Sequence, residues 1–90
     1  MRRWTIVYLA SVRKDIRRID PVVRPRIRSF LEERVASLED PRSLGEALKG
    51  SELGAFWKYR VGDYRIICSL EDAVLTVLVV RIGNRRDVYR

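Results

Sequence analysis

The feature that most constrains the fold is a hairpin signal in the second half of this 90-residue chain. Apolar and charged residues alternate before Gly62-Asp63, which supplies a two-residue turn with glycine first, as the primed turns of β-hairpins prefer. Because a two-residue loop fixes the pairing register, Arg60 is predicted to face Arg65. Lys58 then lies on the same side of the sheet as both arginines.

Cations gathered on one face of a hairpin require an explanation, because like charges set directly opposite each other destabilise a sheet by roughly 0.2–1 kcal/mol. In the same register Val61 faces Tyr64, and Lys58 faces Ile67. One interpretation is that the long cationic side chains extend into water over a solvated sheet face. The other is that this face binds an anion such as phosphate, and both interpretations are open at this point.

The charge balance indicates a polyanionic partner. The chain carries 19 Lys and Arg against 12 Asp and Glu, for a net charge of +7, and 47% of its residues are hydrophobic. Its length suits a single domain, residues 1–90, and its excess of arginine suits phosphate because the planar guanidinium binds pairs of oxygen atoms. No apolar run approaches the length of a membrane span, so we expect a soluble, cytoplasmic protein that binds nucleic acid and not a membrane.

The residue inventory disfavours several kinds of chemistry. The sequence has no histidine, one cysteine and no acidic residues clustered at ligand spacing, which argues against a metal site and against a histidine acid–base pair. Cys68 lies in an apolar strand pattern, so we expect a buried thiol and not a nucleophile. No cofactor is predicted.

The remaining segments predict an α+β fold. Residues 4–9 favour a first strand, and apolar residues at helical spacing predict a short helix followed by a second helix from Pro21 to about Leu38. The segment that starts at Asp40 is predicted to be a loop. Residues 74–82 form the most continuously apolar segment, which we expect to be a strand at the centre of the sheet, covered by the helices.

The predicted helices also present many cations to solvent. Basic side chains of their outer faces are Arg13, Lys14, Arg17, Arg18, Arg24, Arg26 and Arg28. They form either a solvated helix surface or a face that binds a polyanion, and only clustering in three dimensions separates the two.

Several motifs, taken in order, resemble the RelE side of the RelE/ParE toxin superfamily. They are Leu48-Lys49-Gly50, the hairpin with its Gly62-Asp63-Tyr64-Arg65 core, and the terminal Arg85-Arg86-Asp87-Val88-Tyr89. The resemblance implies a compact α+β fold with an N-terminal strand, an antiparallel helical hairpin and a curved antiparallel sheet meander that carries the helices on one face. It also implies a toxin of a type II toxin–antitoxin system that enters the ribosomal A site and cleaves mRNA there.

The same resemblance implies partners and site residues. A cognate antitoxin would hold the toxin inactive, and operator DNA would be reached only through the antitoxin complex. Cleavage would use the RNA 2′-OH as nucleophile, with Lys58 as base, its pKa lowered by neighbouring cations, and with Arg60 and Arg65 as phosphate clamps. Arg85 would polarise or protonate the leaving oxygen, and Tyr89 would stack on a base of the mRNA.

Departures from the family pattern keep other functions open. Asn84 stands where many relatives carry histidine or lysine, and Arg60 stands where some carry lysine, so fewer groups are able to move protons. A ParE-like poison of DNA gyrase shares the fold and is the second hypothesis, although that branch generally lacks the basic and tyrosine set. A module that binds RNA or ribosomes without cleaving RNA is the third.

Overall fold

A computed structural model describes residues 3–48 and 56–84 of the chain, in which the strands form one mixed sheet. The strands are β1 (Thr5–Tyr8), β2 (Glu46–Ala47), β3 (Phe56–Val61), β4 (Tyr64–Glu71) and β5 (Thr76–Asn84). Their spatial order is β1-β5-β4-β3-β2, in which β1 runs parallel to β5 and all other pairs are antiparallel. The predicted α+β fold, with a strand, a helical hairpin and an antiparallel meander, is confirmed.

The helical hairpin connects β1 to the rest of the sheet. It consists of α1 (Val12–Arg17), α2 (Arg24–Ser29) and a π-helical continuation of α2 over Phe30–Val35. Two short 3₁₀ turns lie elsewhere in the chain, at Pro41–Ser43 before β2 and at Asp72–Val74 between β4 and β5. The second helix begins later than the predicted Pro21, because the Val22 N–H donates to the Asp20 carboxylate at 3.0 Å and forms a turn. It also ends before the predicted Leu38. No helix in the described residues is long and apolar enough to cross a membrane.

The helices cover one face of the sheet and bury its apolar side chains. Val12 of α1 and Leu31 of the second helix are both fully buried, and they belong to the same core as Ile66 and Val79 of the sheet. Burying side chains of this size stabilises a fold by roughly 1.5–3 kcal/mol each. Cys68 lies in this core, where burial raises the pKa of its thiol to about 12, so the prediction of a buried thiol is confirmed.

The hairpin has the predicted register. Val61 pairs with Tyr64, Arg60 with Arg65, and Lys58 with Ile67. Gly62 opens the turn with a φ of +58°, which glycine adopts without strain. The turn chemistry visible in the sequence is therefore sufficient to set the pairing of β3 with β4.

The strand predicted at the centre of the sheet is internal but not central. β5 lies between β1 and β4, and β4 occupies the middle position. The pairing of β1 with β5 ends at Val79, and beyond it the Ile82 N–H donates to the Asp15 carboxylate of α1 at 2.9 Å. The side chain of a helix thus replaces a missing strand partner at the end of β5.

The short strand β2 follows directly after the segment predicted as a loop. Gly45 has a φ of +73° and leads into β2, which pairs with β3. The Tyr59 hydroxyl donates to the Pro41 carbonyl at 2.7 Å, and the Trp57 indole N–H donates to the Leu44 carbonyl at 2.6 Å. The sequence did not predict β2, because a two-residue strand held by side chains of its neighbour leaves no periodic pattern in its own sequence.

Candidate active site

The predicted hairpin cations lie together on one face of the sheet. Lys58 and Arg60 are two residues apart on β3, and Arg65 stands opposite Arg60 on β4. Their side chains line a cavity of about 250 Å³ together with Glu46 of β2, which we call the cationic cavity. The prediction that the three cations share a face is therefore confirmed.

Arg65 is the most enclosed of these cations. The residue is only 7% exposed, and its Nη1 atom is buried without a hydrogen-bond partner in the described part of the chain. A buried donor without a partner costs roughly 1–3 kcal/mol, so this guanidinium destabilises the fold that holds it. This enclosure distinguishes Arg65 from a cation that extends into water over a solvated sheet face.

Glu46 is a component of the site that the sequence interpretation missed. It pairs with Lys58 across β2 and β3, and its Oε1 atom lies 3.1 Å from Lys58 Nζ. The residue predicted as the base therefore has a carboxylate partner, which the sequence interpretation left out. No sequence signal identified Glu46, because only the two-residue strand β2 brings it to the cavity.

Gly45 brings the backbone of β2 close enough for this ion pair. A Cβ added at Gly45 would overlap the Lys58 carbonyl oxygen, and would lie 2.8 Å from Tyr59 Cδ1 and 2.9 Å from Trp57 Nε1. Glycine alone fits between the loop and β3 with this positive φ. The position of Glu46 therefore depends on the residue that precedes it.

Arg60, which lines the cavity, and one further cation, Arg81, occupy more exposed positions on this face. Arg60 is exposed, and its Nε atom donates to the Gly62 carbonyl at 3.3 Å. Arg81 pairs with Ile67, which places it on the same sheet face as Lys58. The sequence interpretation omitted Arg81, because the β4–β5 register shifts after Ile67 and simple alternation along β5 does not predict its face.

The other predicted site residues, Arg85 and Tyr89, lie outside the described residues, so their roles stay predictions. Asn84 ends β5 opposite Tyr64 of the hairpin. Within residues 3–48 and 56–84, no three acidic, cysteine or histidine side chains cluster in a way that could hold a metal ion.

The basic helix surface is only partly as predicted. The members that are exposed are Arg13, Lys14, Arg17, Arg18, Arg26 and Arg28. Arg24 instead turns towards α1, where its Nε atom donates to the Ile16 carbonyl at 3.0 Å and to the Ile19 carbonyl at 3.1 Å. The prediction that Arg24 belongs to the outer face is wrong, because its planar guanidinium connects the two helices.

Solved toxin structures share this fold. A chain of the crystal structure of the toxin–antitoxin complex RelBE2 from Mycobacterium tuberculosis matches with a TM-score of 0.82 at 24% identity, over 94% of each chain. The isolated RelE toxin of E. coli matches with a TM-score of 0.68 at 21% identity, over 96% of this chain and 90% of that chain. The architecture is that of the RelE/ParE toxin superfamily, as predicted.

Sequence similarity identifies the family within this superfamily. Residues 6–89 match the family described as the ParE toxin of the type II toxin–antitoxin system parDE. Toxin RelG of Mycobacterium tuberculosis is 25% identical over 87 residues, which cover 97% of this chain and 97% of that toxin. The chain belongs to the ParE toxin family and is a toxin of a type II toxin–antitoxin system.

Proposed function

We propose that this toxin is a metal-independent endoribonuclease that cleaves mRNA in the ribosomal A site and so inhibits translation in the cytoplasm. The observation that carries the proposal is that Lys58, Arg60 and the enclosed Arg65 line one cavity on the same face of the sheet. A phosphodiester supplies the oxygen acceptors that this guanidinium lacks. The net charge of +7 and the similarity to toxins named RelE and RelG support an RNA substrate.

A cognate antitoxin is the proposed protein partner, and operator DNA would be reached only through the antitoxin complex. Support comes from relatives that share the fold. Solved structures from Methanococcus jannaschii and E. coli are described as complexes of a RelB antitoxin with a RelE toxin. A toxin with this fold is therefore expected to be held inactive by the product of a neighbouring gene.

The proposed reaction uses the substrate's own nucleophile. The RNA 2′-OH attacks the adjacent phosphorus and loses its proton to a base, while the 5′-oxygen leaves and takes up a proton. The products are a 2′,3′-cyclic phosphate and a 5′-hydroxyl end. Arg60 and Arg65 stay charged throughout, so their role is to bind the phosphorane oxygens, on which negative charge accumulates in the transition state.

Two side chains at the cavity are candidates for the base. Lys58 has to give up its ammonium proton first, against the attraction of Glu46 at 3.1 Å. Glu46 itself carries the negative charge of this ion pair and is the second candidate. Arg85 at the leaving oxygen and Tyr89 on an mRNA base complete the proposed set.

Cleavage mapping on translating ribosomes tests the proposal. Purified toxin should create new mRNA ends within the A-site codon, read by primer extension. Arg65→Met should lower the cleavage rate by about 10²–10³, the loss typical of one transition-state donor, whereas Arg34→Met on the second helix should leave it unchanged. Intact A-site mRNA would refute the proposal, and ribosome binding without cleavage would favour the non-cleaving module.

The base is identified by comparing Glu46→Gln with Lys58→Met in single-turnover cleavage as a function of pH. Loss of the base should remove the rising limb of the pH–rate profile, while loss of a positioning residue should lower the rate and keep that limb. Each variant thus gives a different profile for each role.

The family match supports a second candidate function. The matching family is named after the ParE toxin, and our second hypothesis is a ParE-like toxin that poisons DNA gyrase. Expression of the toxin would then cause DNA breakage and an SOS response while mRNA stays intact. Under this alternative, Arg65→Met should leave toxicity unchanged unless the cavity face contacts gyrase.

A further inference from the structure

Glu46 forms an ion pair with Lys58, a cation that the substrate phosphate would contact. We propose that Glu46 is an internal counter-anion, which the substrate has to displace. This inference rests on the proposed function, because it concerns the same cationic cavity. It assigns Glu46 a regulatory role in the free toxin: the carboxylate occupies Lys58 until a phosphodiester takes its place.

The geometry of the ion pair makes Glu46 the displaceable partner. The Glu46 side chain is 64% exposed, whereas that of Lys58 is 17% exposed, so the carboxylate approaches the cation from the solvent side. A phosphate that enters from solvent to reach Lys58 has to occupy the same region. Because two anions this close repel each other, a phosphate at Lys58 favours the departure of the Glu46 carboxylate.

Glu46 neutralises the cavity only in part. Its ion pair is with Lys58, while Arg65, which lines the same cavity, forms no ion pair in the described part of the chain. A phosphodiester has two non-bridging oxygens and is able to contact both cations, which a single carboxylate bound to Lys58 does not do. The exchange therefore favours the substrate.

Displacement requires rotation of one side chain and no movement of the strand. The backbone at Gly45 is fixed by its close approach to the Lys58 carbonyl oxygen and to Trp57. Because the Glu46 side chain is largely exposed, moving it away from Lys58 uncovers little buried surface. Exposed ion pairs contribute at most about a fivefold factor to an equilibrium, so this contact delays binding without preventing it.

Affinity for an uncleavable probe tests the inference. A short, fully 2′-O-methylated RNA labelled with fluorescein has no nucleophilic hydroxyl, and its binding to the full chain is measured by fluorescence anisotropy. Glu46→Gln should tighten binding about three- to tenfold, because it removes both the competition for Lys58 and the repulsion of phosphate. Glu33→Gln makes the same charge change at an exposed site on the second helix, and its effect should be much smaller.

A Lys58→Met background separates competition from general repulsion. If Glu46 acts by occupying Lys58, the tightening caused by Glu46→Gln should largely disappear when Lys58 is already replaced. Glu46→Ala provides a second test of the same position, and urea unfolding verifies that each variant is folded. The inference is overturned if Glu46→Gln binds no tighter than Glu33→Gln, or if its gain is undiminished in the Lys58→Met background.

This outcome is independent of cleavage. Tightened binding with intact A-site mRNA would retain the counter-anion and refute the ribonuclease. Cleavage of A-site mRNA by the unsubstituted toxin, together with unchanged RNA affinity in Glu46→Gln, would retain the ribonuclease and refute the counter-anion.

Discussion

Replacing Arg65 by methionine should stabilise the protein while it removes a cation of the proposed anion site. The residue is 7% exposed, its Nη1 atom has no partner in the described part of the chain, and it stands opposite Arg60. A buried unsatisfied donor costs roughly 1–3 kcal/mol, and a cross-strand pair of like charges costs roughly 0.2–1 kcal/mol. Methionine has a similar length and no charge, so the free energy of unfolding should rise by about 1–3 kcal/mol.

Urea unfolding followed by tryptophan fluorescence measures this gain, with the thermal midpoint rising about 4–8 °C for each kcal/mol in a domain of this size. Arg60→Met is the matched control, because it removes the same like-charge pair from an exposed residue. The difference between the two variants isolates the buried donor. If Arg65→Met is no more stable than Arg60→Met, the guanidinium is satisfied in the free protein and the argument for an anion site loses its basis.

Three further predictions concern the fold around the site. Gly45→Ala should lower the free energy of unfolding by about 2–4 kcal/mol. Gly62→Ala, where the added Cβ meets open space, should lower it by about 1–2 kcal/mol. Equal losses in urea unfolding would contradict the close approach at Gly45. Arg24→Lys should lower the free energy of unfolding by about 1–2 kcal/mol in the same assay, because an ammonium cannot reproduce the hydrogen bonds of the guanidinium to three carbonyls in and just after α1. The control Arg34→Lys should leave the stability unchanged. Stability should fall as the pH rises from 9.0 towards about 12, because the unfolded thiol of Cys68 ionises in that range while the buried thiol keeps its proton; an equally steep decline in Cys68→Ala would contradict this origin.

The hairpin was predictable from sequence because its pairing depends on local chemistry. A two-residue turn with glycine first leaves one register, and the alternation of β3 and β4 then determines which side chains share a face. Lys58, Arg60 and Arg65 could therefore be grouped without any knowledge of the rest of the fold. These three cations lie at most seven positions apart along the chain.

The parts that were missed depend on contacts between distant segments. Glu46 reaches the cavity through a strand of two residues, whose position is determined by hydrogen bonds from Trp57 and Tyr59 to the preceding loop. Arg81 joins the same face only because the β4–β5 register shifts by one residue. Arg24 turns inward because the carbonyls at the end of α1 lie within reach of its guanidinium. None of these relations is periodic, so none appears in a pattern read along the chain.

Alternation in the hairpin also separates the part of the sequence that maintains the fold from the part that selects a target. Tyr59 and Ile66 point into the core beneath the helices, whereas Arg60 and Arg65, their immediate neighbours, point into the cationic cavity or its border. Outward residues are therefore free to change without repacking the core. This explains how a chain only 24% identical to its structural relative keeps a TM-score of 0.82. It also means that the fold by itself does not distinguish a ribonuclease from a gyrase poison. A buried arginine on the outward face is different from the other outward residues, because an unpartnered buried donor destabilises the free protein and the proposed anion site gives it a role.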